Sequence, residues 1–114
     1  MKYIIICLIL LLVGCDKQNI SPEQAYKMMG NEDVVIIDVR EYFEYNSGHL
    51  ENAINIPLED LEEKLNEIDK NKKIIVYCLS GNRAQIALEI LAENGYDNIY
   101  TFGEIKDWNY ELYE

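Results

Sequence analysis

The chain has 114 residues, of which 49% are hydrophobic and 27% are charged, a composition typical of one globular domain. Ten basic residues against 21 acidic ones give a formal net charge of -11 at pH 7. This charge argues against a nucleic-acid surface and against electrostatic docking on anionic lipid, so we expect neither kind of partner.

The N-terminal residues have the pattern of an export signal. Met1-Lys2 is a short positive region, and residues 3–13 form an apolar run that is too short to span a bilayer comfortably. The following Leu12-Val13-Gly14-Cys15 resembles the lipobox of bacterial lipoproteins, in which cleavage precedes a cysteine that then carries lipid. We therefore predict a signal peptide over residues 1–14, a lipidated Cys15, and an exported domain anchored to a membrane of the bacterial cell envelope.

The alternatives for the same residues are an uncleaved N-terminal anchor and a buried core strand. If Cys15 is lipidated, residues 16–19 form a short polar tether and the folded domain occupies residues 20–114. Cys7 then leaves with the signal peptide, which makes Cys78 the single free thiol of the domain. A lone thiol in an exported protein suggests a reactive or intermolecularly paired cysteine, the alternative being an inert buried one.

Strand and helix patterns alternate after the tether. Ser21-Pro22-Glu23-Gln24 predicts a capped helix that runs to about Met29. The β-branched run at residues 34–37 predicts a strand that is buried on both faces. A short aromatic helix at residues 41–45 and a short strand at residues 53–56 follow.

The second half of the chain continues the alternation. Four apolar residues recur at helical spacing and predict an amphipathic helix: Leu58, Leu61, Leu65 and Ile68. A strand is predicted at residues 73–77, a helix beyond Ala84, a strand at residues 98–101 and a closing helix at residues 104–110. The order predicts an α/β domain with a central, mostly parallel sheet of about five strands and helices on both faces.

The stretch from Tyr77 to Arg83 carries the chemistry. Cys78 ends a strand and faces the first turn of a helix, where unpaired N–H groups and the helix dipole favour thiolate over thiol. The residues from Leu79 to Arg83 can curl so that their N–H groups face the sulfur, and Gly81 permits a left-handed backbone. The Ser80 hydroxyl could donate to the same atom, and Arg83 could bind an anionic donor or brace the loop.

Four motifs, in order along the chain, resemble those of single-domain rhodaneses. They are Asp38-Val39-Arg40-Glu41, Gly48-His49-Leu50, Ala53-Ile54-Asn55-Ile56-Pro57 and Cys78-Leu79-Ser80-Gly81-Asn82-Arg83. The resemblance implies the rhodanese fold and a sulfurtransferase whose cysteine carries a sulfane sulfur as a persulfide. It implies a catalytic Cys78, structural support from Asp38 and Arg40, and neither metal nor organic cofactor. The substrate-binding residues it implies are Leu79, Ser80, Gly81, Asn82 and Arg83.

The partners expected from this resemblance are a small donor, either thiosulfate or a persulfide, and a thiol or cyanide acceptor. A thioredoxin-like protein is one candidate acceptor, and we expect a monomer. Many rhodaneses that prefer thiosulfate carry a basic residue after the cysteine, where this chain has Leu79, so thiosulfate is expected to be a poor donor. His49 is open to two interpretations, a Cys–His dyad or the structural role that its Gly-His motif favours.

Two rival functions remain at this point. Phosphatases and arsenate reductases of related architecture need Cys-x5-Arg, whereas Arg83 gives Cys-x4-Arg and Ala84 occupies the required position. The ring around a bound oxyanion is therefore one residue short, which favours sulfur over phosphate or arsenate. The other rival is a non-catalytic module that binds sulfur or redox partners through Cys78.

Overall fold

Strands and helices alternate along the chain in a computed structural model, which describes residues 16–114 and, for residues 16–18, the backbone alone. The strands are β1 (Asp16–Asn19), β2 (Val34–Asp38), β3 (Ile54–Asn55), β4 (Lys73–Cys78) and β5 (Asn98–Glu104). The α-helices are α1 (Pro22–Met28), α2 (Tyr42–Asn46) and α3 (Asn82–Glu93), and 3₁₀ helices cover Leu58–Asp60, Glu62–Glu67 and Ile105–Asp107. Within residues 16–114, no helix is long and apolar enough to cross a bilayer.

The five strands form one parallel sheet in the order β1-β5-β4-β2-β3. The predicted α/β fold with a parallel sheet of about five strands is confirmed. β4 lies at the centre, where Tyr77 pairs with Asp38 of β2 and Cys78 pairs with Glu104 of β5. Parallel strands end at the same edge of a sheet, so the carboxyl ends of β2, β4 and β5 meet around Cys78.

The central strand contributes to two apolar layers, one on each face of the sheet. Ile74, Val76 and Cys78 belong to the layer that includes the buried face of α3. Ile75 and Tyr77 belong to the opposite layer, with Ala25 of α1. Alternation along a strand explains this division, and it directs the Cys78 side chain toward α3.

Helix α1 begins as predicted from its capping residues. The Gln24 N–H donates to Ser21 Oγ at 3.1 Å, and the Ser21 N–H donates to Gln24 Oε1 at 2.9 Å. Pro22 lies in the first turn, where its missing N–H leaves no helical bond unmade. The reciprocal cap fixes the helix so that Ala25 is fully buried against the sheet.

The segment predicted as a polar tether is instead strand β1. Its backbone pairs in parallel with β5 at the edge of the sheet, from Asp16 opposite Asn98 to Asn19 opposite Thr101. An edge strand is held by backbone hydrogen bonds and needs no apolar pattern, which is why composition indicated a tether. The sheet therefore begins before the predicted boundary at residue 20, while the predicted signal peptide and Cys15 lie outside the described residues.

Two predicted helices are wrong in type. The segment after Pro57 forms 3₁₀ turns, which advance about 2.0 Å per residue instead of about 1.5 Å, yet Leu61 and Ile68 are still buried. The predicted closing helix at residues 104–110 is a single 3₁₀ turn, Ile105–Asp107. One extra residue in β5, between Thr101 and Gly103, shifts the register and brings Glu104 opposite Cys78.

Candidate active site

Two backbone N–H groups point at the sulfur of Cys78. The Gly81 N–H donates to Sγ at 2.9 Å and the Ala84 N–H donates at 3.3 Å. Gly81 is the residue before α3, and Ala84 lies in the first turn of that helix. N–H groups at these positions have no acceptor within the helix. Together with the positive end of the helix dipole they stabilise negative charge on the sulfur.

The backbone of Gly81 makes this arrangement possible. Gly81 is the N-cap of α3 and has φ of 88° and ψ of -24°, a conformation that residues with a side chain rarely adopt. A Cβ at this position would meet only Glu104 Cγ, at an ordinary contact distance of 3.7 Å. Glycine is therefore required by the backbone angle and not by lack of space.

The N–H groups of Leu79 to Arg83 were predicted to face the sulfur, and the structure shows this in part. We name residues 78–83 the cysteine loop. Among the described residues the recorded donors to Sγ are Gly81, as predicted, and Ala84, which lies one residue beyond the predicted range. Leu79, Ser80 and Asn82 are exposed at the rim, and no bond from the Ser80 hydroxyl to Sγ is among the described contacts.

Cys78 itself has an exposed fraction of 0%. The sulfur lies beneath the cysteine loop, with fully buried Ala84 beside it. The sulfur is therefore closed to solvent in this conformation. Leu79, which is 48% exposed, adjoins Cys78 and is the apolar residue at this rim.

Arg83 braces the loop through an ion pair that sequence reasoning did not identify. Its guanidinium donates two hydrogen bonds to Glu44 of α2, at 2.9 Å to Oε1 and 3.1 Å to Oε2. The Glu41 N–H also donates to Glu44 Oε1, at 3.0 Å. Of the two predicted roles for Arg83, this geometry is that of the brace; the spacing Glu41-x-x-Glu44 signals a helix cap but not its distant partner.

The electrostatics of this pair favour both charged forms. Hydrogen bonds from Arg83 lower the pKa of the Glu44 carboxyl, against the opposing effect of burial. Hydrogen bonds to Glu44 raise the pKa of Arg83, and the charges of Glu44, Cys78 and Glu41 raise it further. The Glu44–Arg83 pair is therefore an ion pair in which each partner stabilises the charge of the other.

Asp38 and Arg40 form a buried ion pair at the end of β2. The Arg40 side chain donates to both carboxylate oxygens, with the shortest contact at 2.7 Å, and donates to the Gly48 carbonyl at 2.6 Å. Burial acts to lower the pKa of Arg40, but the hydrogen bonds and charge of Asp38 outweigh it and raise the pKa. Among the described residues, the hydrogen bonds of these two side chains go to one another and to the Gly48 carbonyl, and none goes to Sγ.

This ion pair reaches the site through Tyr77. The Arg40 guanidinium lies 5.6 Å from the centroid of the Tyr77 ring, and the Leu50 N–H donates to the Tyr77 hydroxyl at 3.1 Å. Burial and the charge of Asp38 raise the pKa of Tyr77 far above its ordinary value, so the phenol is neutral. The residue before Cys78 is thus fixed from the opposite face of the sheet.

His49 is placed by contacts away from the sulfur. Its ring stacks on Tyr45 with centroids 3.8 Å apart, and Nδ1 lies 2.9 Å from the Tyr45 carbonyl oxygen, to which it donates. Its backbone exchanges two hydrogen bonds with Tyr113. These contacts fit the structural interpretation of His49.

In residues 16–114 no group of three or more His, Cys, Asp or Glu side chains is placed to hold a metal ion.

Curated relatives share this domain within much longer proteins. The chain is 34% identical over 89 residues to a tRNA uridine(34) hydroxylase of Photorhabdus laumondii, covering 73% of this chain and 25% of that protein. It is 37% identical over 79 residues to a protein of the same name from Erwinia tasmaniensis, covering 64% of this chain and 23% of that one. The chain thus spans about a quarter of the length of these relatives.

Two solved structures match this chain over nearly their whole length. A rhodanese-related protein from Thermoplasma volcanium superposes with a TM-score of 0.76 at 32% identity, covering 84% of this chain and 97% of that one. A rhodanese with anions from E. coli gives a TM-score of 0.66 at 36% identity, covering 71% and 98%. The family model for the rhodanese-like domain matches residues 21–111. The protein therefore belongs to the rhodanese family.

Proposed function

We propose that this protein is a sulfurtransferase that carries a sulfane sulfur on Cys78 as a persulfide. The observation that carries the proposal is the pair of N–H donors at 2.9 and 3.3 Å from Sγ, at the N-terminus of α3. A thiolate and the terminal sulfur of a persulfide are both anionic, so preorganised backbone donors stabilise the reactant and the intermediate. Membership of the rhodanese family supports the same chemistry.

The reaction consists of two displacements at sulfur. The Cys78 thiolate attacks the outer sulfur of a donor R–S–SH. The Sγ–S bond forms, the donor S–S bond breaks and R–S⁻ leaves, and the proton of the transferred sulfur passes to solvent, so the bound persulfide is anionic. With thiosulfate the leaving group is sulfite. An acceptor thiolate or cyanide then attacks the outer sulfur, the Sγ–S bond breaks and the Cys78 thiolate is restored. Sulfur is relocated, so no external oxidant or reductant is consumed.

A phosphatase or arsenate reductase is the enzymatic alternative, and the site fits it less well. Those reactions need an arginine that closes over a bound oxyanion, six residues after the cysteine. Ala84 stands at that position, and its N–H contacts Sγ. Arg83, one residue earlier, is engaged by Glu44 through two hydrogen bonds.

The activity in the names of the curated relatives is a weaker candidate. This chain spans about a quarter of those proteins, so their action on tRNA belongs to a much larger assembly of residues. The net charge of -11 also opposes binding to a phosphate backbone. We therefore propose small sulfur donors and a thiol acceptor as partners, a thioredoxin-like protein being one candidate, with the protein acting as a monomer.

The proposal extends to the location of the protein. The lipobox-like Leu12-Val13-Gly14-Cys15 supports cleavage before Cys15 and its lipidation, on the outer face of a membrane or in the periplasm. Several acyl chains would anchor the protein stably, because each buried methylene contributes about 0.8 kcal/mol. Replacing Cys15 with alanine should release the protein from membranes. Continued membrane fractionation of Cys15→Ala would refute the lipid anchor without affecting the sulfurtransferase proposal.

Persulfide formation tests the proposed chemistry directly. The protein is incubated with thiosulfate or with cysteine persulfide, and intact mass spectrometry records the addition of one sulfur that cyanide then removes. Cys78→Ser should abolish the adduct while the near-isosteric side chain preserves the fold, checked by circular dichroism. An adduct that persists in Cys78→Ser would remove Cys78 from the mechanism.

The same assay separates the rival functions. Absence of an adduct with either donor, together with turnover of an aryl phosphate, would replace the proposal with a phosphatase. Absence of both activities would leave a non-catalytic binding module.

A further inference from the structure

The cations near the cysteine loop are held in ion pairs. Arg83 pairs with Glu44, and Lys106 pairs with Glu104 at 3.2 Å. Glu104 is the sheet neighbour of Cys78, and Glu41 adds a further negative charge that acts on Arg83. The carboxylates therefore offset the positive charge that a dianionic substrate would need.

Glu44 is fixed in a position to hold Arg83. It accepts two hydrogen bonds from the guanidinium and a third from the Glu41 N–H, so its orientation does not depend on Arg83 alone. Its side chain has an exposed fraction of 15%, against 29% for Arg83. The lowered pKa of Glu44 keeps it ionised at neutral pH. A substrate that requires the charge of Arg83 must compete with a well-ordered carboxylate.

The remaining rim of the loop suits a substrate with carbon atoms. Leu79 follows Cys78 directly and is 48% exposed, so it presents apolar surface beside the buried sulfur. An organic persulfide can place its carbon chain against Leu79 and carries little net charge. Thiosulfate has two negative charges and no apolar part, so it gains nothing from Leu79 and is repelled by the carboxylates.

From these contacts we infer that Glu44 is a specificity-determining residue whose carboxylate engages Arg83 and offsets its positive charge at the site. The site thereby selects organic persulfides of low net charge over inorganic dianions such as thiosulfate. This inference rests on the sulfurtransferase function proposed above. It assigns the selectivity to the Glu44–Arg83 pair and not to the overall charge of the domain.

The test compares rate constants of persulfide formation from thiosulfate and from cysteine persulfide, measured by intact mass on the same protein. Glu44→Gln keeps an acceptor for the Glu41 N–H but leaves the charge of Arg83 uncompensated. Removing one negative charge near a dianion should raise the ratio of the thiosulfate rate to the cysteine persulfide rate roughly tenfold. Glu89→Gln, on the exposed face of α3, makes the same charge change and should leave the ratio unaltered.

A double variant establishes whether the effect passes through Arg83. The gain should disappear in Glu44→Gln combined with Arg83→Gln. An unchanged ratio in folded Glu44→Gln, an equal gain in the double variant, or a wild type that reacts equally well with both donors would each overturn the inference. A variant damaged only in folding would lose both rates together. Failure of every variant to take up sulfur from either donor would instead refute the proposed function itself.

Discussion

Replacing Gly81 with alanine tests whether the shape of the cysteine loop is needed for reactivity. Gly81 adopts φ of 88° and places its N–H 2.9 Å from Sγ of Cys78. Gly95 has the same φ of 88° just after α3, and a Cβ there would meet only the flexible end of the Lys70 side chain, with Nζ at 3.3 Å. Gly95→Ala therefore imposes the same backbone strain without touching the site.

The expected magnitudes follow from these two positions. A residue with a side chain at positive φ costs about 1 to 2 kcal/mol, so both variants should lose that much free energy of unfolding. In Gly81→Ala we also expect a small rotation of the strained peptide, which turns its N–H away from Sγ. Loss of one hydrogen bond to a charged group is worth about 1.5 to 3 kcal/mol, which corresponds to a roughly ten- to hundredfold slower formation of the persulfide.

Two measurements on each variant provide the test. Urea denaturation gives the free energy of unfolding, and intact mass against time gives the rate of persulfide formation from cysteine persulfide. We expect equal stability losses and a slower reaction in Gly81→Ala alone. If Gly81→Ala is destabilised like Gly95→Ala but reacts at the wild-type rate, its N–H group does not support the chemistry. If neither variant is destabilised, the argument from backbone strain is wrong.

Two further predictions concern the ion pairs. Asp38→Asn leaves the charge of Arg40 buried without its carboxylate and should lower the free energy of unfolding, measured in urea, by about 3 to 5 kcal/mol. Glu89→Gln, at an exposed position, is the control and should change that free energy by less than about 0.5 kcal/mol. A similarly small loss in Asp38→Asn would contradict the structural role of the Asp38–Arg40 pair. The pKa of Glu44 is lowered from its ordinary value of 4.5, so the unfolded chain takes up the proton first as the pH falls. The stability contributed by the Glu44–Arg83 pair should be complete above the pKa of Glu44 in the unfolded chain. It should disappear as the pH falls through the lower pKa of Glu44 in the folded protein. The difference in unfolding free energy between wild type and Glu44→Gln should shrink over that pH interval. A difference independent of pH would show that the ion pair does not stabilise the fold.

Local sequence patterns are sufficient for the elements that position the sulfur. The β-branched runs at residues 34–37 and 73–77 predict buried parallel strands, because only apolar side chains suit both faces of such a sheet. The capping residues Ser21 and Gln24 predict the start of α1 because the cap is made within four residues of chain. Cys78 and Gly81 are likewise recognisable from their order in the loop.

Tertiary contacts account for what the sequence did not reveal. Glu44 and Arg83 are 39 residues apart, and only the folded sheet brings α2 and α3 together, so no local spacing could identify the pair. The apolar spacing from Leu58 to Ile68 identifies a buried face but does not distinguish α-helical from 3₁₀ turns, since both return to one side every three to four residues. Strand β1 was missed because backbone pairing at a sheet edge leaves no hydrophobic signature.

The complete burial of Cys78 also bears on the chemical lifetime of its thiolate. Oxidation of cysteine to sulfenic and higher acids depends on both thiolate character and exposure, and here Sγ accepts two N–H groups while the side chain is closed to solvent. In this conformation the burial that covers Sγ from a donor of the proposed reaction also covers it from peroxide in the medium. A variant that exposes Sγ should therefore be oxidised by peroxide faster than the wild type.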